Sequence, residues 1–123
     1  MLVEDEPVVL ETCRAMLVYL NYQVITAKNG LEAISKYEDN AEKIVLVLSD
    51  MVMPDMDGEE LFHYLRAENP DLKMVIMSGH PLEEKGAKLL EQGIVSWFKK
   101  PMSLGELSQA MGTALAKKKG RWG

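Results

Sequence analysis

The chain has 123 residues, 47% hydrophobic and 27% charged, with a formal net charge of -5. That size suits one domain around one core, and the acidic balance argues against nucleic acid as a direct partner. One cysteine, Cys13, excludes an internal disulfide framework and fits a reducing cytosol; no apolar run reaches the roughly 18 residues a membrane helix needs, and no signal peptide is visible. The expected location is cytoplasmic, with no membrane contact by this domain, which leaves a membrane-attached parent protein open.

Met1 to Val3 reads as a short strand that starts with almost no lead-in. Pro7 suits the first turn of a helix, where its missing N–H costs nothing. Val8, Val9, Met16, Leu17 and Leu20 continue at helical spacing, and Asn21 can end that helix. Val24 to Ala27 predicts a second strand, and Asn29-Gly30 a turn. Leu31, Ile34 and Tyr37 mark a short helix. Ile44 to Leu48 is a continuous apolar run, the pattern of a strand buried on both faces. Gly58 to Ala67 predicts a helix with Leu61, Phe62 and Leu65 on one side, stopped by Asn69-Pro70. Met74 to Met77 is the fourth strand. Leu82 to Gln92 is a weaker helix with Gly93 just past its end. Ile94 to Phe98 is the fifth strand. Ser103 and Glu106 form a capping box before Leu104, Leu107, Met111 and Leu115, the stripe of a last amphipathic helix.

The order is strand and helix in strict alternation, with no repeat or linker. Such alternation predicts a doubly wound α/β fold with a parallel sheet, helices on both faces and right-handed crossovers. Ligands in these sheets bind beyond the carboxyl ends of the strands, where strand order reverses. The first strand delivers Glu4-Asp5 to that rim, the third Asp50, the fourth Ser78 and the fifth Lys99-Lys100-Pro101. Two carboxylates about 4 Å apart repel by about 4 kcal/mol at an effective dielectric of about 20. Three of them in one cleft need a cation or a proton. All-oxygen ligation open to solvent suits Mg²⁺, which keeps several waters and accepts a phosphate oxygen. Asp50 can then act as a carboxylate nucleophile toward phosphorus, with Lys100 and the Ser78 hydroxyl on the phosphoryl oxygens.

These features resemble the receiver domain of two-component signalling. The matching elements are the acidic pair in V-E-D-E-P, the D-M-V-M-P-D-M-D-G segment, the hydroxyl in I-M-S-G, the K-P pair after the fifth strand and the aromatic Trp97. The resemblance implies a flavodoxin-like three-layer fold with strand order 2-1-3-4-5. It implies that Asp50 is the phosphoacceptor and that Glu4, Asp5, Asp50 and the backbone carbonyl of Val52 hold Mg²⁺ (or Mn²⁺). Ser78 becomes the switch hydroxyl, Lys100 the phosphate-pairing lysine, Trp97 the aromatic switch, and Pro101 the residue after a cis peptide bond. The implied partners are a histidine kinase or phosphotransfer domain carrying phosphohistidine, and a downstream protein on the face of helix four, strand five and helix five. By this reading the domain catalyses only its own phosphorylation and dephosphorylation.

The sequence departs from the commoner pattern at Glu4, Ser78, Trp97 and Met102, where aspartate, threonine, a smaller aromatic and phenylalanine are frequent. Val52, two residues past Asp50, cannot orient a hydrolytic water, so a slow loss of the phosphoryl group is expected. Val52 also argues against an aspartyl-nucleophile phosphatase, which needs a second aspartate there. A flavin or nucleotide binder would carry a glycine-rich loop after strand one, where Glu4-Asp5-Glu6-Pro7 stands. A never-phosphorylated receiver-like module would lack part of the acid-lysine set. Asp55 and Asp57 are expected to shape the loop and cap the next helix, and His63 and His80 to be surface residues. Trp97 could be packing or a switch. Met51, Met53 and Met56 are candidates for a partner surface. The domain is expected to span 1–123, with its core in 1–116 and a tail, 117–123, that is either a basic helix end or a cloning remnant. The M-S-G-H-P and L-R-A-E-N-P-D-L-K stretches resemble receivers fused to sensor histidine kinases, which favours a hybrid kinase over a stand-alone regulator. The abrupt first strand agrees with excision from a longer protein.

Overall fold

The structure, a computed structural model, describes residues 1–116; the basic tail 117–123 lies outside them. Five strands, β1 (Leu2–Val3), β2 (Thr26–Ala27), β3 (Val47–Asp50), β4 (Met74–Ser78) and β5 (Ser96–Lys99), alternate with five helices. These are α1 (Pro7–Tyr19), α2 (Gly30–Asn40), α3 (Gly58–Glu68), α4 (Glu84–Gln92) and α5 (Leu104–Ala116). All strand pairs are parallel, in the order β2-β1-β3-β4-β5.

Side chains alternate across the sheet, as a strand's period of two requires. Leu2, Leu48, Val75 and Met77 face Cys13 and Leu17 of α1 and Leu107, Ala110 and Met111 of α5. Val3, Val47, Met74 and Ile76 face Ala33 and Tyr37 of α2, Leu61, Phe62 and Leu65 of α3, and Leu89 of α4. Both faces of β3 and β4 are therefore covered, which explains their unbroken apolar runs.

Helix ends follow the local chemistry. Pro7 opens α1. Asn21 takes φ 72 just past its end, and Tyr22 N–H closes back on Leu17 O at 3.0 Å, the left-handed termination that asparagine tolerates. Gly93, at φ 115, ends α4 the same way, with Ile94 N–H on Leu89 O. Ser103 Oγ and Glu106 form the reciprocal box at α5.

After β1, three strands begin later than their apolar runs. β4 starts at Met74, opposite Val47, so residues 44–46 have no ladder partner; Val45 is 67% exposed. β5 starts at Ser96 because Ile94 spends its N–H on the end of α4. β2 is confined to the two residues that β1 can pair. α4 starts at Glu84 rather than Leu82, after Glu83 at φ 51 and ψ -121, a backbone conformation a non-glycine residue enters only at a cost. Met51 and Met53 are each only 7% exposed and pack into the α2–α4 side of the core. They therefore form no partner surface; the loop folds them inward because the core continues past the end of β3.

Candidate functional site

The strand ends converge at the carboxyl edge of the sheet. Val3 pairs with Ser49, and the next residues on the two strands are Glu4 and Asp50. Glu4 N–H reaches Ala27 O at 3.0 Å, so the backbone order continues past β1. Asp50 sits beside Met77, and Ser78 beside Lys99. Lys100 N–H donates to Ser78 O at 2.7 Å, and the Lys100–Pro101 peptide bond is cis. These anchors place the Lys100 ammonium between two acids. Its Nζ lies 3.0 Å from Glu4 Oε1 and 3.1 Å from Asp50 Oδ2.

Glu4 is fully buried, Asp50 is 4% exposed and Asp5 is half-buried at the rim. Carboxylate oxygens of the three lie within 4.8 Å of one another. Burial pushes the Glu4 carboxyl above the usual carboxylate range, and the negative charge of Asp50 adds to this; the Glu6 N–H, 3.1 Å from Oε2, and Lys100 only partly oppose it. Burial alone would weaken the charge on Lys100, but its hydrogen bonds to Glu4 and Asp50 prevail and hold the ammonium above the ordinary lysine range. One ammonium against three carboxylates leaves the cluster negative when all are ionised. Hard oxygen donors, a residual negative charge and one open side at Asp5 fit a hard divalent cation such as Mg²⁺.

The loop after Asp50 is held on three sides. Ser49 Oγ donates to Asp50 O at 2.9 Å, Met51 N–H to Met77 O at 2.7 Å and Gly58 N–H to Met51 O at 2.7 Å. Gly58 comes so close that a Cβ there would stand 2.7 Å from Asp50 O and 2.9 Å from Ile76 Cδ1. Asp57 caps α3 in a reciprocal box with Glu60. Asp55 shapes its own loop by accepting from Met56 N–H at 2.9 Å, and it does a second job that its position does not suggest. Its carboxylate accepts from Gly30 N–H at 3.1 Å and Leu31 N–H at 2.9 Å, capping α2 from across the fold and holding its carboxyl below the usual range despite some burial.

The other residues singled out by sequence stand around this centre. Ser78 is buried, and its hydroxyl donates to His80 O at 2.6 Å and accepts from His80 N–H at 3.2 Å. The hydroxyl makes no bond to the side chain of Asp50 or Lys100 among the described residues. Val52 is 69% exposed, and its carbonyl accepts no hydrogen bond among the described residues. Trp97 is half-buried against the α2–α4 side of the core, its indole seated on Gly86 of α4, where any Cβ would overlap the ring. Sequence reading missed Gly58 and Gly86 as close approaches. A glycine inside or at the start of a helical pattern was the available signal.

Comparison with known proteins identifies the family and the fold. The chain is 33% identical over 115 residues to the transcriptional regulatory protein GlrR of Escherichia coli, covering 94% of this chain and 26% of that protein. It is 33% identical over 117 residues to the sensor kinase CckA of Brucella abortus, covering 95% of this chain and 12% of that protein. It therefore spans about a quarter or less of these relatives. A receiver domain protein from Clostridium thermocellum superposes with a TM-score of 0.88 at 24% identity, covering 93% of this chain and 90% of that one. The model of the response regulator receiver domain matches residues 1–112, a span that includes the whole acid rim and Lys100, and the chain belongs to that family.

Proposed function

We propose that Asp50 accepts a phosphoryl group from a phosphohistidine on a histidine kinase or phosphotransfer domain. The observation that supports this most is the Lys100 ammonium bridging Glu4 and Asp50 at the carboxyl edge of the sheet, with Asp5 beside them. Residues 1–116 act as one receiver domain. Glu4, Asp5, Asp50 and the Val52 carbonyl would hold Mg²⁺, with Mn²⁺ as a substitute. When bound, the ion neutralises the acids and the incoming phosphoryl oxygens.

An Asp50 carboxylate oxygen attacks phosphorus. The new O–P bond forms as the P–N bond to imidazole breaks, and the electron pair returns to the ring nitrogen. Lys100 leaves Asp50 Oδ2 for a phosphoryl oxygen and stays tied to Glu4. Ser78 turns its hydroxyl from His80 O to the phosphoryl group, so the loop that carries His80 and the strained Glu83 loses a bond. That change reaches α4 and the indole of Trp97, and the α4-β5-α5 face then presents a different surface to a downstream protein. Reversing a two-state balance from about 1:99 to about 99:1 takes about 5.5 kcal/mol of differential interaction. A dianionic group with three charged or donor partners is of the right size to supply much of it. Val52 offers no side chain to orient water, so the phosphoryl group is held for minutes rather than seconds.

The test is intact-mass measurement after incubation with Mg²⁺ and acetyl phosphate. One added phosphoryl group is expected, lost in Asp50→Asn and in EDTA. Labelling that persists in Asp50→Asn overturns the assignment. The chain is read as the receiver part of a hybrid sensor kinase; similarity to CckA supports this, while GlrR shows the same likeness to a regulator. Sequencing the flanking coding region decides between these contexts. An in-frame kinase domain upstream supports the hybrid, and a stand-alone reading frame refutes it.

A further inference from the structure

A second cluster of carboxylates lies at the opposite end of the molecule. α2 and α3 pack side by side and run back from the Asp50 edge, so their C-terminal ends meet where the strands begin. Between those ends is a groove of about 430 Å³ lined by Tyr37, Tyr64 and Leu65 and rimmed by Glu38, Glu42 and Glu68. The lining holds no Lys or Arg, and the three glutamate carboxylates make no side-chain hydrogen bond or ion pair among the described residues. Lys43, next to Glu42, lines an adjoining hollow instead.

The charges stand where they do the fold no service. Helix C-termini carry partial negative charge and favour cations. α2 has no basic residue in its last turn, and the guanidinium of Arg66 in α3 is committed to Leu72 O and Gly93 O, at 3.0 and 3.2 Å. The floor is polar as well as aromatic. Tyr37 is 2% exposed; its hydroxyl accepts from Asn69 Nδ2 at 3.0 Å, and its own proton has no acceptor among the described residues.

We propose that this groove docks an arginine-bearing segment of a partner protein. A guanidinium can stack on the half-exposed ring of Tyr64 while its fork pairs with the rim carboxylates, which a lysine ammonium cannot do in the same plane. A backbone carbonyl of the same segment takes the unspent Tyr37 proton. Anionic rim, aromatic wall and one buried donor together specify a cationic peptide rather than a free metal ion. The site is remote from Asp50 and does not depend on phosphoryl transfer.

The test titrates the ¹⁵N-labelled chain with tetra-arginine amide, and with tetra-lysine amide in parallel, at physiological salt. Saturable shifts at Ala41, Tyr64 and Asn69 are expected, with tetra-arginine bound about fivefold or more tighter than tetra-lysine. Tyr64→Ala, at a side chain outside the core, and the pair Glu38→Gln with Glu68→Gln should each weaken binding about fivefold. Both variants should keep full labelling by acetyl phosphate, which separates this outcome from any failure at Asp50. Shifts centred on Glu4 and Asp5, equal affinity for the two peptides, or binding unchanged in Tyr64→Ala would each overturn the proposal.

Discussion

Two groups of three carboxylates stand at opposite ends of one sheet, and they are built differently. Glu4, Asp5 and Asp50 are packed together with a lysine bonded to two of them. Glu38, Glu42 and Glu68 rim an open groove with no cation among its lining residues. Burial makes the difference. A charge removed from water costs several kcal/mol unless it is paired, whereas a solvated one costs little. The first group must therefore be fixed by its neighbours, while the second is free to wait for a partner.

Breaking the first group should have the largest effect. Lys100→Met leaves Glu4 and Asp50 buried without their cation, and about 3 kcal/mol of stability is expected to be lost in EDTA. Urea unfolding checks this, and added Mg²⁺ should restore part of the loss. A shift below about 0.5 kcal/mol would mean that the pocket is as solvated as the groove.

The tolerance around Asp50 is the next point of contrast. Gly58→Ala drives a Cβ against the Asp50 carbonyl and Ile76, and about 2 kcal/mol of destabilisation is expected, with slower acetyl phosphate labelling. Normal stability with normal labelling would show that the loop yields freely.

Acidity distinguishes the groups again. Burial raises the Glu4 carboxyl above its ordinary value of 4.5. The fold thus favours the protonated form; its contribution is full below pH 4.5 and is lost as pH rises through the raised value. In EDTA, stability should fall across that window relative to Glu4→Gln. A parallel pH course in the two proteins would remove burial as the cause.

The smallest effect belongs to the groove. Glu38→Gln with Glu68→Gln should change stability by no more than about 0.5 kcal/mol, and in the stabilising direction, because each carboxylate opposes a helix dipole. A larger loss would reveal a structural role for the rim.

Much of the fold was legible because its signals are local. An apolar run that ends on Asp50, the asparagine and glycine past α1 and α4, and the Ser103–Glu106 box each carry their own physical reason. The acid rim was legible because parallel topology gathers strand ends in one place. Strand starts were not, since a ladder extends only as far as its neighbour does; Val45 looks like core and lies in solvent for that reason. The burial of Met51 and Met53 depends on how the loop folds back over α3. Asp55 was read within its own loop, where its carboxylate does accept from Met56 N–H, but its bonds to Gly30 and Leu31 go to a helix far away in sequence. Gly58 and Gly86 are defined by what approaches them, which spacing does not reveal.

The seat of Trp97 on Gly86 gives the domain an optical handle. Indole emission follows the polarity around the ring, and here one wall of that surrounding is the backbone of α4 itself. Any sliding or turning of α4 has to uncover or rotate the indole. With Trp122, the chain's other tryptophan, replaced by phenylalanine, the intrinsic fluorescence of Trp97 is thus a built-in gauge of helix position, readable without a label in the same cuvette to which acetyl phosphate is added.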